Sequence, residues 1–242
     1  ISPLRQINPS VLNKKVHFFD VKPTEMYEDS GFAGSFGGET QFVGQNPSRS
    51  AKIVYYLKKR HTFGKMTMKI YDSKGKEVAT LVPGKSKGIN IVNWNYTMKQ
   101  PKVAKGKTFS FGGFTSPRVP AGTYKVVMTK GKETYETSID LTYADNGIPL
   151  ANRKEQERVT MKLYDMTQDL AYNVYKLDGM LDYANMLKDK NKKAAKTANK
   201  FINELESLKK TLVITTGDNY VGSAEPELRE KLADLYSKIA GT

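Results

Sequence analysis

Residues 65–81 read KMTMKIYDSKGKEVATL, and this stretch decides the fold. Met66, Met68 and Ile70 alternate with Thr67, Lys69 and Tyr71, the period of two that places one row of side chains in a core and the other in water. Asp72-Ser73-Lys74-Gly75 is a four-residue turn with Gly in its last position. KEVATL (76–81) then returns as a strand, and Pro83-Gly84 breaks it.

The same grammar extends outward on both sides. AKIVYYLK (51–58) is rich in β-branched and aromatic residues. GINIVNWN (88–95) has Ile89, Ile91 or Val92, and Trp94 on its faces. PAGTYKVVMT (120–129) and KETYETSIDLTY (132–143) make a hairpin around Lys130-Gly131, a connection short enough for a primed turn. Six or seven strands bounded by turn chemistry predict an Ig-like antiparallel β-sandwich over residues 51–145. Trp94, inside an apolar strand, is expected in its core, and Tyr124 is placed to be a corner residue whose hydroxyl bonds the backbone.

Residues 1–50 form an irregular lead-in with one short strand at VHFFDV (16–21), closed by Pro23. The run GFAGSFGGETQFVGQNPSRS (31–50) is too rich in Gly, Ser and Asn to build a core and reads as a loop or linker. Residues 98–119 interrupt the strands with a long loop carrying Lys105 and Lys107 together with Phe109, Phe111 and Phe114. Such phenylalanines either pack back on the sandwich edge or face a partner. These five residues are the candidate ligand or partner surface.

Past Pro149 the period becomes helical. Val159, Leu163, Met166, Leu170, Val174, Leu177 and Leu181 fall three or four residues apart, one stripe on one long helix. A second stripe runs Ala194, Ala198, Phe201, Leu205, Leu208 and Leu212, beyond a polar turn at Lys188–Lys192. A third, shorter one is Leu228, Leu232, Leu235 and Ile239, with Ser223 placed to cap it. Residues 150–242 are therefore a helical hairpin with a third short helix, and the whole is α+β with two segregated parts. Strands and stripes are expected to absorb nearly all the large apolar side chains, leaving little for a reaction centre.

The chain has no cysteine, which excludes thiolate sites and cysteine nucleophiles, and only two histidines, His17 and His61, outside any metal-binding spacing. GxSxG, P-loop and dinucleotide-binding patterns are missing, and Asp72 beside Lys74 is a poor calcium cage. Asp165, Asp169, Asp178 and Asp182 lie at helical spacing among lysines and read as a solvated face rather than a glycosidase pair. No cofactor is expected. The formal net charge is +14, and residues 150–242 hold only 16 Lys/Arg against 14 Asp/Glu, so the first 149 residues carry +12. The lysines are dispersed, a solvated surface that blunts sheet edges more than a nucleic-acid platform. No run of about twenty apolar residues is present to span a bilayer. The first residue is Ile, which fits a piece excised from a longer polypeptide.

GQNP (44–47), AKIVYYL (51–57), IYDSKGKEVATL (70–81), GINIVNWN (88–95) and VPAGTYKVVMT (119–129) together resemble a module that follows the β-propeller in secreted bacterial proteins of the sortilin-like, BNR-repeat sialidase-like glycosyl hydrolase group. The sandwich part is similar to the Ig-like domain of the flagellar hook-capping protein. The resemblance covers roughly residues 40–240, and the propeller's Asp-box signature is absent from this chain. It implies a secreted or cell-surface protein of Bacteroidetes type and carries over no functional residue. The expectation is a non-catalytic accessory or interaction module, supporting a propeller domain or docking a protein partner. A carbohydrate-binding module is the alternative.

Overall fold

The computed structural model describes residues 3–26, 49–108, 115–190, 193, 195–216 and 225–240. They form two compact units. One comprises Ile1–Lys99 and Arg118–Pro149, the other Gln100–Pro117 and Leu150–Gly241. The sequence order is β first and α second, as its periodicity predicts. The Gly-rich run at 31–44 and the Ser223 cap lie outside the described residues.

The first unit is an Ig-like sandwich. After the short helix α1 (Pro9–Asn13) come β1 (Val16–Phe18), β2 (Thr24–Met26), β3 (Ala51–Leu57), β4 (Met66–Tyr71), β5 (Glu77–Leu81), β6 (Gly88–Trp94), β7 (Gly122–Lys130) and β8 (Glu133–Tyr143). One sheet has the order β1-β3-β6 and the other β2-β8-β7-β4-β5. The sheets are antiparallel except where β2 pairs with β8 in parallel, so the second is mixed. The described part of the lead-in is thus more ordered than its composition predicts: residues 16–26 supply an outer strand to each sheet. Asn8 caps α1 by accepting from the Val11 amide at 3.0 Å. Val11 and Phe19 then cover Val54 on the outer face of β3.

Alternation fills the space between the sheets. Ile53, Tyr55 and Leu57 of β3, Met68 and Ile70 of β4, and Val126 and Met128 of β7 are fully buried. Each contributes roughly 1.5–3 kcal/mol of transfer free energy as an upper bound. Trp94 is 2% exposed; its indole Nε1 donates to the Thr97 carbonyl at 3.1 Å, and its ring meets Tyr124 edge-on at 5.3 Å. The Tyr124 hydroxyl donates to the Pro120 carbonyl at 2.7 Å, the corner bond expected near the start of this strand. In the Asp72 turn the carboxylate accepts from the amides of Lys74 and Lys76, and Gly75 takes φ +77°. Gly131 has φ +63°, and it alone of the two loop residues between β7 and β8 is left-handed, the signature of a type II′ turn.

The second unit is built on α2 (Leu150–Lys190), 41 residues and about 60 Å long. Its first half packs on α4 (Leu228–Ala240) and its second half on α3 (Ala195–Leu212). Leu170 and Val174 meet Val213, Leu232 and Ala104 of the preceding loop in one core. The loop at 100–117 is therefore a layer of the helical unit.

The buried helix faces are rotated from the expected stripes. On α3 the buried residues are Ile202 and Leu205, while Phe201 and Leu208 are exposed. On α4 they are Arg229, Leu232, Ala233 and Tyr236, while Leu228 and Leu235 face out. On α2 Leu170, Val174 and Leu177 are buried as expected, but Thr160, Tyr164 and Thr167 take the positions expected of Val159, Leu163 and Met166. On α4 the reason is the loop layer, whose carbonyls accept from polar side chains: Tyr236 donates to Thr115 O at 3.0 Å, and Arg229 binds two more. Leu228 and Leu235 are in consequence left outside the core.

Candidate functional site

Two surfaces stand out. The first is a groove in the helical unit, and it exists because the loop at 102–108 is held in place. Arg229, 4% exposed, donates from Nη1 to Ala104 O at 3.1 Å and from Nη2 to Thr108 O at 2.7 Å. Nη2 also reaches the Thr108 hydroxyl, which in turn donates to Glu230 Oε1 at 2.8 Å. The Arg229 Nε closes the set on the same carboxylate oxygen at 2.7 Å. A planar fork of donors suits two carbonyls and a hydroxyl at once, which an ammonium cannot match. The Lys107 amide adds a bond to Ile214 O at 2.9 Å.

Between this loop, α2 and α3 opens a groove of about 1070 Å³. Lys102 and Lys105 line it from the loop, Glu206 and Lys209 from α3, and Gln168, Tyr175, Gly179 and Asp182 from α2. Asp178 of α2 accepts from Lys209 Nζ at 2.6 Å, both about one-third exposed, so this carboxylate ties two helices together rather than facing water freely. Tyr172 is exposed with Lys176 Nζ 4.4 Å from its ring centroid. Tyr175 is 75% exposed.

Of the residues expected at a site, Lys105 lines the groove, while Lys107 is seen only through its amide bond to Ile214 O. Phe109, Phe111 and Phe114 lie outside the described residues. Tyr172, Tyr175, Gly179, Tyr183 and Met186 lie outside the apolar stripe expected of α2. Their spacing of three, four, four and three is itself a helical stripe, on the side of α2 opposite Leu170, Val174 and Leu177.

The second surface is the outer edge of β6. Among the described residues no strand pairs with it, and its seven residues carry no charge. Ile89 and Ile91 are 37% and 58% exposed; their cross-strand partners are Tyr56 and Val54. Inward, Asn90 is buried with its amide bonded to Ser86 and Gly88, which fixes how the chain enters the strand. The free edge β5 differs. It carries Glu77, whose carboxyl is held below the usual carboxylate range by hydrogen bonds from Lys69 and Thr80.

Among the described residues no group of three or more His, Cys, Asp or Glu is placed to hold a metal ion, and no helix is long and apolar enough to cross a membrane. No family model, no curated protein and no solved structure matches the chain.

Proposed function

We propose that this chain is a non-catalytic interaction module of a larger secreted or cell-surface protein, and that its sandwich docks a protein partner by strand addition at β6. The observation that carries the reading is the undefended edge. Soluble sheets blunt a free edge with lysine, proline or a bulge, because unpaired N–H and C=O groups recruit other strands. β5 is guarded from within the strand by Glu77 and its Lys69 partner. β6 has no such guard inside the strand and adds two exposed isoleucines.

An incoming strand would gain main-chain hydrogen bonds and extend the apolar row of Ile89 and Ile91. Lys85 and Lys87, just before β6, favour acidic residues at the adjoining end of that segment. A propeller or another neighbouring domain of the parent protein is one source of such a strand, in line with the family resemblance.

Displayed twelve-residue random peptides selected on the chain test the proposal. Enriched peptides should alternate apolar residues, protect the amides of 88–94 from hydrogen exchange, and lose binding to Ile91→Lys. Equal binding to Ile91→Lys, or no enrichment, would overturn the docking role. Turnover of a glycoside, ester or phosphoester by the chain would overturn the non-catalytic one.

A further inference from the structure

The groove of the helical unit supports a second role that does not depend on β6. Gly179 is the starting point. It sits in the interior of a 41-residue helix, where glycine costs stability relative to alanine. Its φ is not left-handed, and a Cβ built on it would meet no atom within 4 Å. Neither backbone conformation nor internal packing requires glycine here. What its bare backbone does is leave a notch on α2 between Tyr175 one turn before and Tyr183 one turn after, about 12 Å apart along the axis. Both tyrosines are exposed, at 75% and 60%.

The charges around the notch narrow the choice of occupant. Lys102, Lys105, Lys176 and Lys209 stand against Asp178, Asp182 and Glu206. Lys209 is already bound to Asp178, and Lys176 lies over Tyr172. The four lysines against three carboxylates leave a net of only +1 with both signs interspersed, so a polyanion would meet repulsion as well as attraction along the groove, and an apolar peptide would desolvate the charges without compensation. A neutral polyhydroxylated chain fits both constraints. Its hydroxyls donate to Asp182 and Glu206 and accept from Lys102, Lys105 and the Gln168 amide, while the C–H face of a ring rests on the exposed phenol of Tyr175. We propose that the Gly179 groove is a binding site for a neutral oligosaccharide, with Tyr175 as its stacking platform.

Calorimetric titration of the full chain with cellohexaose, maltohexaose, xylohexaose and chitohexaose tests this. At least one should bind, and Tyr175→Ala should weaken it by about tenfold or more, a loss of some 1.4 kcal/mol. Gly179→Ala, which leaves the helix intact by far-UV circular dichroism, should weaken it comparably, so the loss cannot be ascribed to unfolding. Ile91→Lys should leave it unchanged, which separates this site from the β6 edge. Failure of all four sugars to bind, or binding indifferent to both groove substitutions, would overturn the proposal. So would a heparin hexasaccharide binding more tightly than any of them in a Tyr175-dependent way.

Discussion

Gly106 lies against the guanidinium of Arg229, so close that a Cβ on residue 106 would fall inside the van der Waals envelope of Nη1, Cζ and Nη2. The guanidinium cannot swing away cheaply, because it is buried and its donors are engaged by Ala104, Thr108 and Glu230. Gly106→Ala should therefore destabilise the helical unit by about 1–3 kcal/mol. Arg229→Met should cost more, roughly 3–5 kcal/mol, since it strands the Glu230 carboxylate and two loop carbonyls. The clash requires the guanidinium, so Gly106→Ala should cost markedly less in the Arg229→Met background. Urea denaturation followed by helical circular dichroism measures all four states of the cycle.

The sandwich has a separate reporter in Trp94, the chain's one tryptophan. Tyr124 touches it edge-on and bonds Pro120 O. Removing only the hydroxyl, as Tyr124→Phe, keeps the ring contact and leaves a carbonyl without its donor. A loss of about 0.5–1.5 kcal/mol is expected, read from the urea midpoint of Trp94 fluorescence. No change would mean that the corner bond contributes nothing to the sandwich.

Alkali should act through Tyr55. Burial pushes its phenol up to about 12, from an ordinary value near 10. The folded state holds the neutral form, and the unfolded chain ionises first. Stability from this group is thus complete below pH ~10 and falls as the pH climbs toward 12. Tyr236 in the helical unit is raised by burial with the same sign. Tyr55→Phe loses the hydroxyl's bond to Gly84 O but has nothing to ionise. The stability gap between wild type and Tyr55→Phe should narrow between pH 10 and 12, and a constant gap would contradict the shift.

Much of this architecture was legible because its signals are local. Met66, Met68 and Ile70 alternate and are buried, Gly131 marks a hairpin and adopts the left-handed φ, and Leu170, Val174 and Leu177 lie on one helix face and face the core. What escaped is what depends on a distant chain segment. Arg229 and Tyr236 lie off the apolar stripe of α4, and they are buried because the loop carbonyls of Ala104, Thr108 and Thr115 accept from them. That substitution of polar for apolar side chains turns α4 and leaves Leu228 and Leu235 in water. The groove escaped for the same reason, since Lys105 meets α2 only through this loop, although the stripe Tyr172–Tyr175–Gly179–Tyr183 was readable as a second face. The large apolar residues were not all used as core: Phe63 and Val82 are each 88% exposed.

Gly179 offers the sharpest separation of stability from binding. Its would-be Cβ meets nothing, and its backbone is helical, so alanine introduces neither a clash nor strain. Alanine removes conformational freedom from the unfolded chain and raises helix propensity, and Gly179→Ala should stabilise the helical unit by about 1 kcal/mol. Gly106→Ala, the same one-methyl change, should do the opposite, because there the Cβ meets a pinned guanidinium. Urea midpoints for the two variants measured side by side decide the matter. A residue whose replacement stabilises the fold but weakens oligosaccharide binding is retained for the ligand, and Gly179→Ala should show both effects in one protein.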